Sequence, residues 1–358
     1  MVDSIPETKR ALVLTAPGKF ETQTVPVPKI NAGEVLCKVR CVAICGSDPE
    51  IIRGESAGVW PPAYPFIPGH EWAGQVVALG QGVMNAPIGE RVAGQAHKGC
   101  GHCSNCLSGR YTLCENYGRP ETGHRHYGFI TPGAYAQYIA ISVLSVNRIP
   151  AEMTWREGAL VDTAGAGLHA LELTGVTPGG TVAVIGVGPV GLIVVRLAHA
   201  LGAARVIAID RSSRRDAARL VGADEFIDFE TTDPVQAVRT LTDGRGADLA
   251  LECSSAAGTF RQAVEMVRRG GSVGLLGLPS REVNDPLPTR HIVHDEIAIF
   301  GSRANPNVSS KVINLIASKR LRVDDLVTHS FPLEDFSIAF DCLVNRRDNV
   351  IKVVVEPN

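Results

Sequence analysis

The chain is short of aromatic residues, which make up 5% of its 358 positions, three of them tryptophan. Its cores must therefore rest on Val, Ile, Leu and Ala, and a 45% share of hydrophobic residues is enough for two domains. No apolar segment runs unbroken for the roughly 18 residues that a membrane-spanning helix needs. The start, Met1 to Arg10, has no basic-then-apolar leader. A soluble, cytoplasmic protein with no membrane partner is expected. Nor is positive charge in excess. The formal net charge is −2 with both signs interspersed, which leaves no basic footprint for nucleic acid. Internal repeats and low-complexity tracts are absent too.

Cysteine is present but unevenly placed: seven of the nine lie between Cys37 and Cys114, and only Cys253 and Cys342 lie beyond. An odd count, tight clustering and no export signal favour metal ligation over a disulfide framework. The stretch 35–43 alternates, with Cys37, Val39 and Cys41 on one face and Lys38 and Arg40 on the other, so Cys37 and Cys41 read as core thiols. Further strands are expected at 75–79 and 135–141. Frequent glycine and proline between short segments give a small β-rich domain up to about Ile149.

From about Glu157 the texture changes to alternating strand and helix. Strands are expected at 181–186, 205–209, 248–253, 272–276 and 296–300, and helices at 192–201, 212–220, 235–241 and 259–268. This pattern predicts an α/β fold with a doubly wound parallel sheet, its ligand crevice at the carboxyl ends of the strands. After Asn307 come two helices, 308–317 and 333–344, and a closing strand, 350–355, which return to the first domain.

The first of these strands runs into Gly186-Val187-Gly188-Pro189-Val190-Gly191, a G-x-G-x-x-G turn. Gly186 allows the sharp turn, Gly188 lets a pyrophosphate approach the backbone, and Gly191 lets the following helix sit close to the strand. The helix N-terminus offers free N–H groups to phosphate. Asp210, ending the next strand, stands where an acid meets an adenosine ribose hydroxyl and would repel a 2′-phosphate, which favours NAD over NADP. Arg211 and Arg214 lie where a phosphate could be met, although an exposed helix face explains Arg214 equally well.

Two sets of metal-ligating residues stand out. Cys100, Cys103, Cys106 and Cys114, at C-x2-C-x2-C-x7-C, are four soft ligands suited to a structural zinc. An iron–sulfur cluster uses similar spacing, but it would need a redox role that the nicotinamide fold already fills. His97 and His102 nearby are read as surface residues. Cys45-Gly46-Ser47-Asp48 and Gly69-His70-Glu71 offer a thiolate and an imidazole from two loops, a set that suits a catalytic zinc with an open position.

With these motifs in this order, the chain resembles the zinc-containing medium-chain dehydrogenase/reductase family, closest in pattern to its polyol and threonine dehydrogenase-like branch. The resemblance covers essentially the whole chain. It implies a GroES-like catalytic domain of residues 1–157 and 303–358, with the cysteine lobe at about 97–116, and a Rossmann domain of residues 158–302. It implies two zinc ions and NAD, and homodimers or homotetramers built through the Rossmann domains. By position, Cys45 and His70 match catalytic-zinc ligands, and Glu71 an acid that is a ligand in some members and lies behind the ligands in others. Asp162 falls where relatives have a cysteine or glutamate ligand, so it is expected at the zinc directly or through water; as an alternative it caps a helix or pairs with a cation. Asp48 matches an acid that orients a ligand, and Ser47 the hydroxyl that begins proton transfer. Glu50 stands where many members have a relay histidine, so the proton leaves either through Glu50, whose pKa would have to be raised, or through water. Arg215 matches a basic ribose contact, and Leu278, Ser302 and Arg303 are expected near the nicotinamide.

The expected reaction is hydride transfer between a secondary alcohol and NAD. The polar loop 121–128, with Trp60 and Tyr64, either borders the substrate or is a solvated segment beside a proline-rich anchor. An acidic neighbour at the zinc suggests a polyol, sugar or cyclitol; the runner-up is an amino alcohol. A non-catalytic protein keeping the fold, or a zinc-free quinone reductase, would have no need of the Cys45, His70 and Glu71 set.

Overall fold

The structure, a computed structural model, describes residues 4–279 and 283–357. The chain divides into two compact units: Met1–Thr163, Ser309–Lys319 and Val323–Asn358 form the first, Ala164–Val308 and Arg320–Arg322 the second.

The first unit is β-rich. Its strands are β1 Thr8–Ala16, β2 Lys19–Pro26, β3 Glu34–Ala43, β4 Glu71–Leu79, β5 Arg91–Gly94, β6 His97–Lys98, β7 Arg125–His126, β8 Tyr138–Ser142 and β9 Val146–Arg148. The second unit supplies β10 Thr181–Ile185, β11 Arg205–Asp210, β12 Glu225–Asp228, β13 Ala247–Glu252, β14 Val267–Leu275 and β15 Ala298–Gly301. The chain then closes the first unit with β16 Val327–Pro332 and β17 Lys352–Glu356. In the first unit's main sheet the order is β16-β17-β3-β4-β5-β9, with β8 also paired to β3, and β1–β2 and β6–β7 form separate ribbons. Cys37, Val39 and Cys41 all point into the core and are fully buried, while Arg40 is exposed. Burial pushes the Cys41 thiol up to about 12 and Cys37 higher still, as befits inert core thiols.

The second unit is a six-stranded, wholly parallel sheet in the order β12-β11-β10-β13-β14-β15. The order reverses at β10, and it is there, at the carboxyl ends of β10 and β13, that a doubly wound sheet opens its ligand crevice. Ala183, Ile185, Ile207, Ile209, Ala250 and Val273 make the core on the strands. Helix Pro189–Ala200 buries seven of its twelve residues.

Several elements differ from the sequence reading. β12 has a single buried residue, Ile227, so its edge position leaves little apolar signal. The expected helix 259–268 stops at Met266, because Val267 pairs with Ala247 and begins β14. Regular pairing of the strand expected at 135–141 starts only at Tyr138; the N–H groups of Ala134 and Tyr135 go instead to the carbonyls of Gly69 and Pro68. Helix Val161–Thr174 went unread because it is buried nearly all round at its start and so lacks an amphipathic stripe. No helix among the described residues is long and apolar enough to cross a membrane.

Candidate active site and cofactor turn

Among the described residues two groups bring their donor atoms within 4.8 Å of one another: Cys100, Cys103, Cys106 and Cys114, and Cys45, His70 and Glu71. In the first group the sulfurs of Cys100 and Cys106, and of Cys103 and Cys114, are 3.9 Å apart. A zinc tetrahedron with bonds of about 2.3 Å has edges of about 3.8 Å, so the group fits that ion closely. Backbone N–H groups of Cys100 and Cys106 donate to the sulfurs of Cys114 and Cys103 at 3.4 and 3.5 Å, and Asn116 Nδ2 donates to Cys100 at 3.3 Å. Against burial, such donors hold Cys100 down to about 5, while burial pushes Cys106 up to about 12. Four sulfurs this close ionise together only around a cation.

The second group follows from strand pairing. β3 and β4 run antiparallel with Ala43 opposite Glu71, so Cys45, two residues past the strand, comes up beside His70. Gly69 has to be glycine: its φ is +93° and a Cβ would lie 2.7 Å from the Tyr135 ring. Asp48 is fully buried and ties the loop together, accepting from the Cys45 N–H at 2.8 Å and the Tyr135 hydroxyl at 2.6 Å, with its other oxygen 3.8 Å from His70 Nδ1. Burial pushes the Asp48 carboxyl up against these partners. At His70 burial disfavours an imidazolium, yet Cys45, Asp48 and Glu71 outweigh it and raise the ring to about 10. So much negative charge around one imidazole suits a divalent cation, and sulfur, nitrogen and oxygen donors suit zinc.

Glu71 has a partner that the sequence reading did not include. Lys352 Nζ lies 2.5 Å from its carboxylate, and both side chains are 2% exposed. Burial raises the Glu71 carboxyl, but Lys352 and His70 outweigh that and hold it below the usual range. The signal was a single lysine in the apolar closing strand. Ser47 Oγ is buried with no hydrogen-bond partner among the described residues. Glu50 accepts a hydrogen bond from Ser56 Oγ. Asp162 lies half-buried in the first turn of helix Val161–Thr174, and its carboxylate is not in the group within 4.8 Å.

Other residues near this site change their reading. His97 is not a surface residue; it is 5% exposed and stacks on His126. His102 is exposed. Loop 121–128 is not simply solvated, since His124 and His126 are 1% and 3% exposed. Trp60 packs edge-on to Phe129, whose ring centroid is 4.6 Å from that of His70.

In the second unit the three glycines of the turn have three different reasons. Gly186 has φ +84° and a Cβ there would lie 2.6 Å from Ser254; a Cβ on Gly191 would lie 2.0 Å from the Gly186 carbonyl oxygen. A Cβ added to Gly188 would meet nothing within 4 Å, so its bareness serves no packing among the described residues. Gly188 caps helix Pro189–Ala200, whose first position, Pro189, needs no N–H donor, and Val190 follows in the first turn. Asp210 faces the turn, accepting from the N–H groups of Val187 at 2.8 Å and Arg211 at 2.7 Å. The Arg215 guanidinium stacks 4.6 Å over Phe226, and that of Arg211 lies 6.0 Å from Phe229. Buried Glu252, also unread in the sequence, accepts from Ser254, Ser255 and Thr259 and so fixes the loop that packs on Gly186. Ser302 donates its N–H to Leu275, and Leu278 and Arg303 are exposed.

A metal-binding β unit joined to a dinucleotide fold defines a nicotinamide-dependent oxidoreductase. The alcohol dehydrogenase GroES-like domain family matches residues 31–151 and the zinc-binding dehydrogenase family residues 189–318. The chain belongs to the zinc-containing alcohol dehydrogenase superfamily. It is 35% identical over 362 residues to a sorbitol dehydrogenase of Bacillus subtilis, covering 100% of both chains. To an L-threonine 3-dehydrogenase of Bacillus licheniformis it is 35% identical, covering 94% of each. The NADP-bound structure of a protein from Sinorhizobium meliloti superposes with a TM-score of 0.90 at 29% identity, covering 98% of this chain and 100% of that one.

Lys352→Met leaves the Glu71 charge buried and unpaired and should cost about 3–5 kcal/mol in denaturant unfolding; adding Glu71→Gln should restore part of it, and an unchanged midpoint would show that the pair does not form. Gly191→Ala should destabilise by roughly 1–3 kcal/mol through its clash. Gly188→Ala, by contrast, should keep its melting temperature but bind dinucleotide at least about tenfold more weakly by calorimetry. Equal affinity for Gly188→Ala and wild type would remove that glycine from the ligand path.

Proposed function

We propose that the protein oxidises a secondary alcohol of a polyol, sugar or cyclitol to the ketone with NAD, and reduces the ketone in reverse. The observation that carries this reading is the donor set of half-buried Cys45 with buried His70 and Glu71, together with a Ser47 hydroxyl that has no hydrogen-bond partner among the described residues. One zinc belongs with that set and a second, structural zinc with Cys100, Cys103, Cys106 and Cys114. Zinc, when bound, supplies a Lewis acid that acidifies a hydroxyl, as it lowers the pKa of water from about 15.7 to about 7, and the nicotinamide supplies the hydride acceptor.

The chain's own residues bind, orient and move the proton. Ser47 Oγ receives it from the substrate hydroxyl and passes it on through Glu50 or water. Asp48, pinned by Tyr135, orients His70. Lys352 holds Glu71 at 2.5 Å, which supports an orienting role for Glu71 and leaves Asp162, directly or through water, as a further oxygen donor. In the second unit Asp210 and Arg215 meet the adenosine ribose, with Arg211 beside them, and Leu278, Ser302 and Arg303 lie on the nicotinamide side. Pairing of Rossmann sheet edges would give a homodimer or homotetramer.

The sorbitol dehydrogenase relative supports a polyol. The threonine 3-dehydrogenase relative, equally identical, supports an amino alcohol as the second reading. The test is NAD reduction followed by absorbance over polyols, sugars, cyclitols, amino alcohols and simple alcohols, with zinc counted on the same sample. Turnover confined to hydroxylated carbon chains with two zinc ions per chain is expected; turnover of threonine alone would install the second reading. Asp210→Ala should lower the NAD-to-NADP preference at least about tenfold, the loss of a ribose hydrogen bond and of a repulsive charge together. An unchanged ratio would place Asp210 away from the ribose.

A further inference from the structure

The four-cysteine lobe closes at its base on a single imidazole. His97, three residues before Cys100, is the strand partner of His126 across β6 and β7, and their rings stack with centroids 3.9 Å apart at 25°. Tyr117, three residues after Cys114, places its hydroxyl 2.6 Å from His126 Nδ1 and accepts the indole N–H of Trp60 at 2.8 Å. The chain around Tyr117 is tied to the lobe: its N–H donates to the Cys114 carbonyl at 3.1 Å, and neighbouring Asn116 donates to the Cys100 sulfur. On the other face of His126, Phe129 stacks at 3.9 Å and 9°, and Phe129 in turn lies 4.6 Å from the ring of His70. His97, His126, Phe129 and His70 are all buried. The four rings form one column from the stems of the lobe to the imidazole of the candidate zinc site.

We propose that Tyr117 and His126 are positioning residues, which carry the closed geometry of the cysteine lobe to His70. The inference rests on the zinc reading above. Close-packed rings in a buried column have no free volume in which to tilt, so a displacement at one end is felt at the other. The hydrogen bonds add an orientation. An indole N–H can only donate, so the Tyr117 oxygen accepts there and keeps both a proton and a lone pair for the contact with His126 Nδ1. The bond holds His126 in one tautomer, and its ring cannot flip without breaking a bond and two stacks. Filling the lobe with its metal fixes the separation of residues 97 and 117, hence the clamp on His126, hence the seat of His70.

The test uses the full-length holoprotein carrying Tyr117→Phe, which keeps the ring and removes only the hydroxyl. Nitrogen NMR of the imidazoles should show His126 in a single tautomer in wild type and a mixture of tautomers in the variant. In cobalt-substituted protein, the visible band lost in Cys45→Ser reports the catalytic site; Tyr117→Phe should shift that band and lower kcat about tenfold with KM and metal content kept. Phe129→Leu, lower in the column, should shift the band and leave the His126 tautomer alone. Should Tyr117→Phe fail to fold, Trp60→Phe removes the indole N–H that the Tyr117 hydroxyl accepts and keeps the Tyr117–His126 bond, and it should move the tautomer and the cobalt band in the same direction by a smaller amount. An unmoved cobalt band and an unmoved tautomer, with both metals retained, would overturn the positioning role. A wild-type protein with no cobalt band that depends on Cys45 would instead overturn the zinc reading itself.

Discussion

A glutamate and a lysine, 2% exposed and 2.5 Å apart, sit behind the candidate zinc site, and the local structure is arranged around keeping that pair together. Isolated, either charge would be too costly to bury; paired, they fix the start of β4 to β17, which come from opposite ends of the chain. β3 lies between them, pairing with both, and its Ala43 is opposite Glu71 on one side and Val354 on the other. The loop that leaves β3 carries Cys45, Ser47 and Asp48. Thus the ion pair sets the sheet, and the sheet sets the distance from Cys45 to His70.

Negative charge is the second constraint. Cys45, Asp48 and Glu71 surround His70, and a single lysine does not balance them. The imidazole rises to about 10 as a result, which makes the site a poor neutral arrangement and a good one for a cation. Tyr135 serves the same end by supplying a neutral donor to Asp48 where another positive charge would compete with a metal.

The sequence made the local motifs legible and left the long-range partners unread. The glycine turn, Asp210 and the four cysteines are short-range patterns whose spacing is itself the geometry. Five of the six Rossmann strands showed as apolar runs; in β10, β11 and β13 both faces of the parallel sheet are buried, whereas β15, at the edge, was legible from its apolar letters alone. Lys352 and Tyr135 act on residues 281 and 87 positions away, and Glu252 acts on a nearby loop whose fold is set elsewhere, so no local pattern announces such partners. His97 was misjudged for a related reason: its burial comes from pairing of the very short ribbon β6–β7, which leaves no periodicity to read.

The two metal groups differ in what their surroundings leave unsatisfied, and this difference separates holding from reacting. Around the four cysteines, the N–H groups of Cys100 and Cys106 and the Asn116 amide point at sulfurs, and four like donors suit a closed tetrahedron with no place for a fifth group. Around Cys45 and His70 the donors are unlike, the nearby carboxylates are pinned from behind by Lys352 and Tyr135, and a buried hydroxyl at Ser47 has no partner among the described residues. A buried hydroxyl with no partner costs free energy unless something comes to satisfy it. Under the proposed function a substrate hydroxyl would give Ser47 its missing hydrogen bond, and this contrast in unsatisfied groups supports assigning the chemistry to the second group and the architecture to the first.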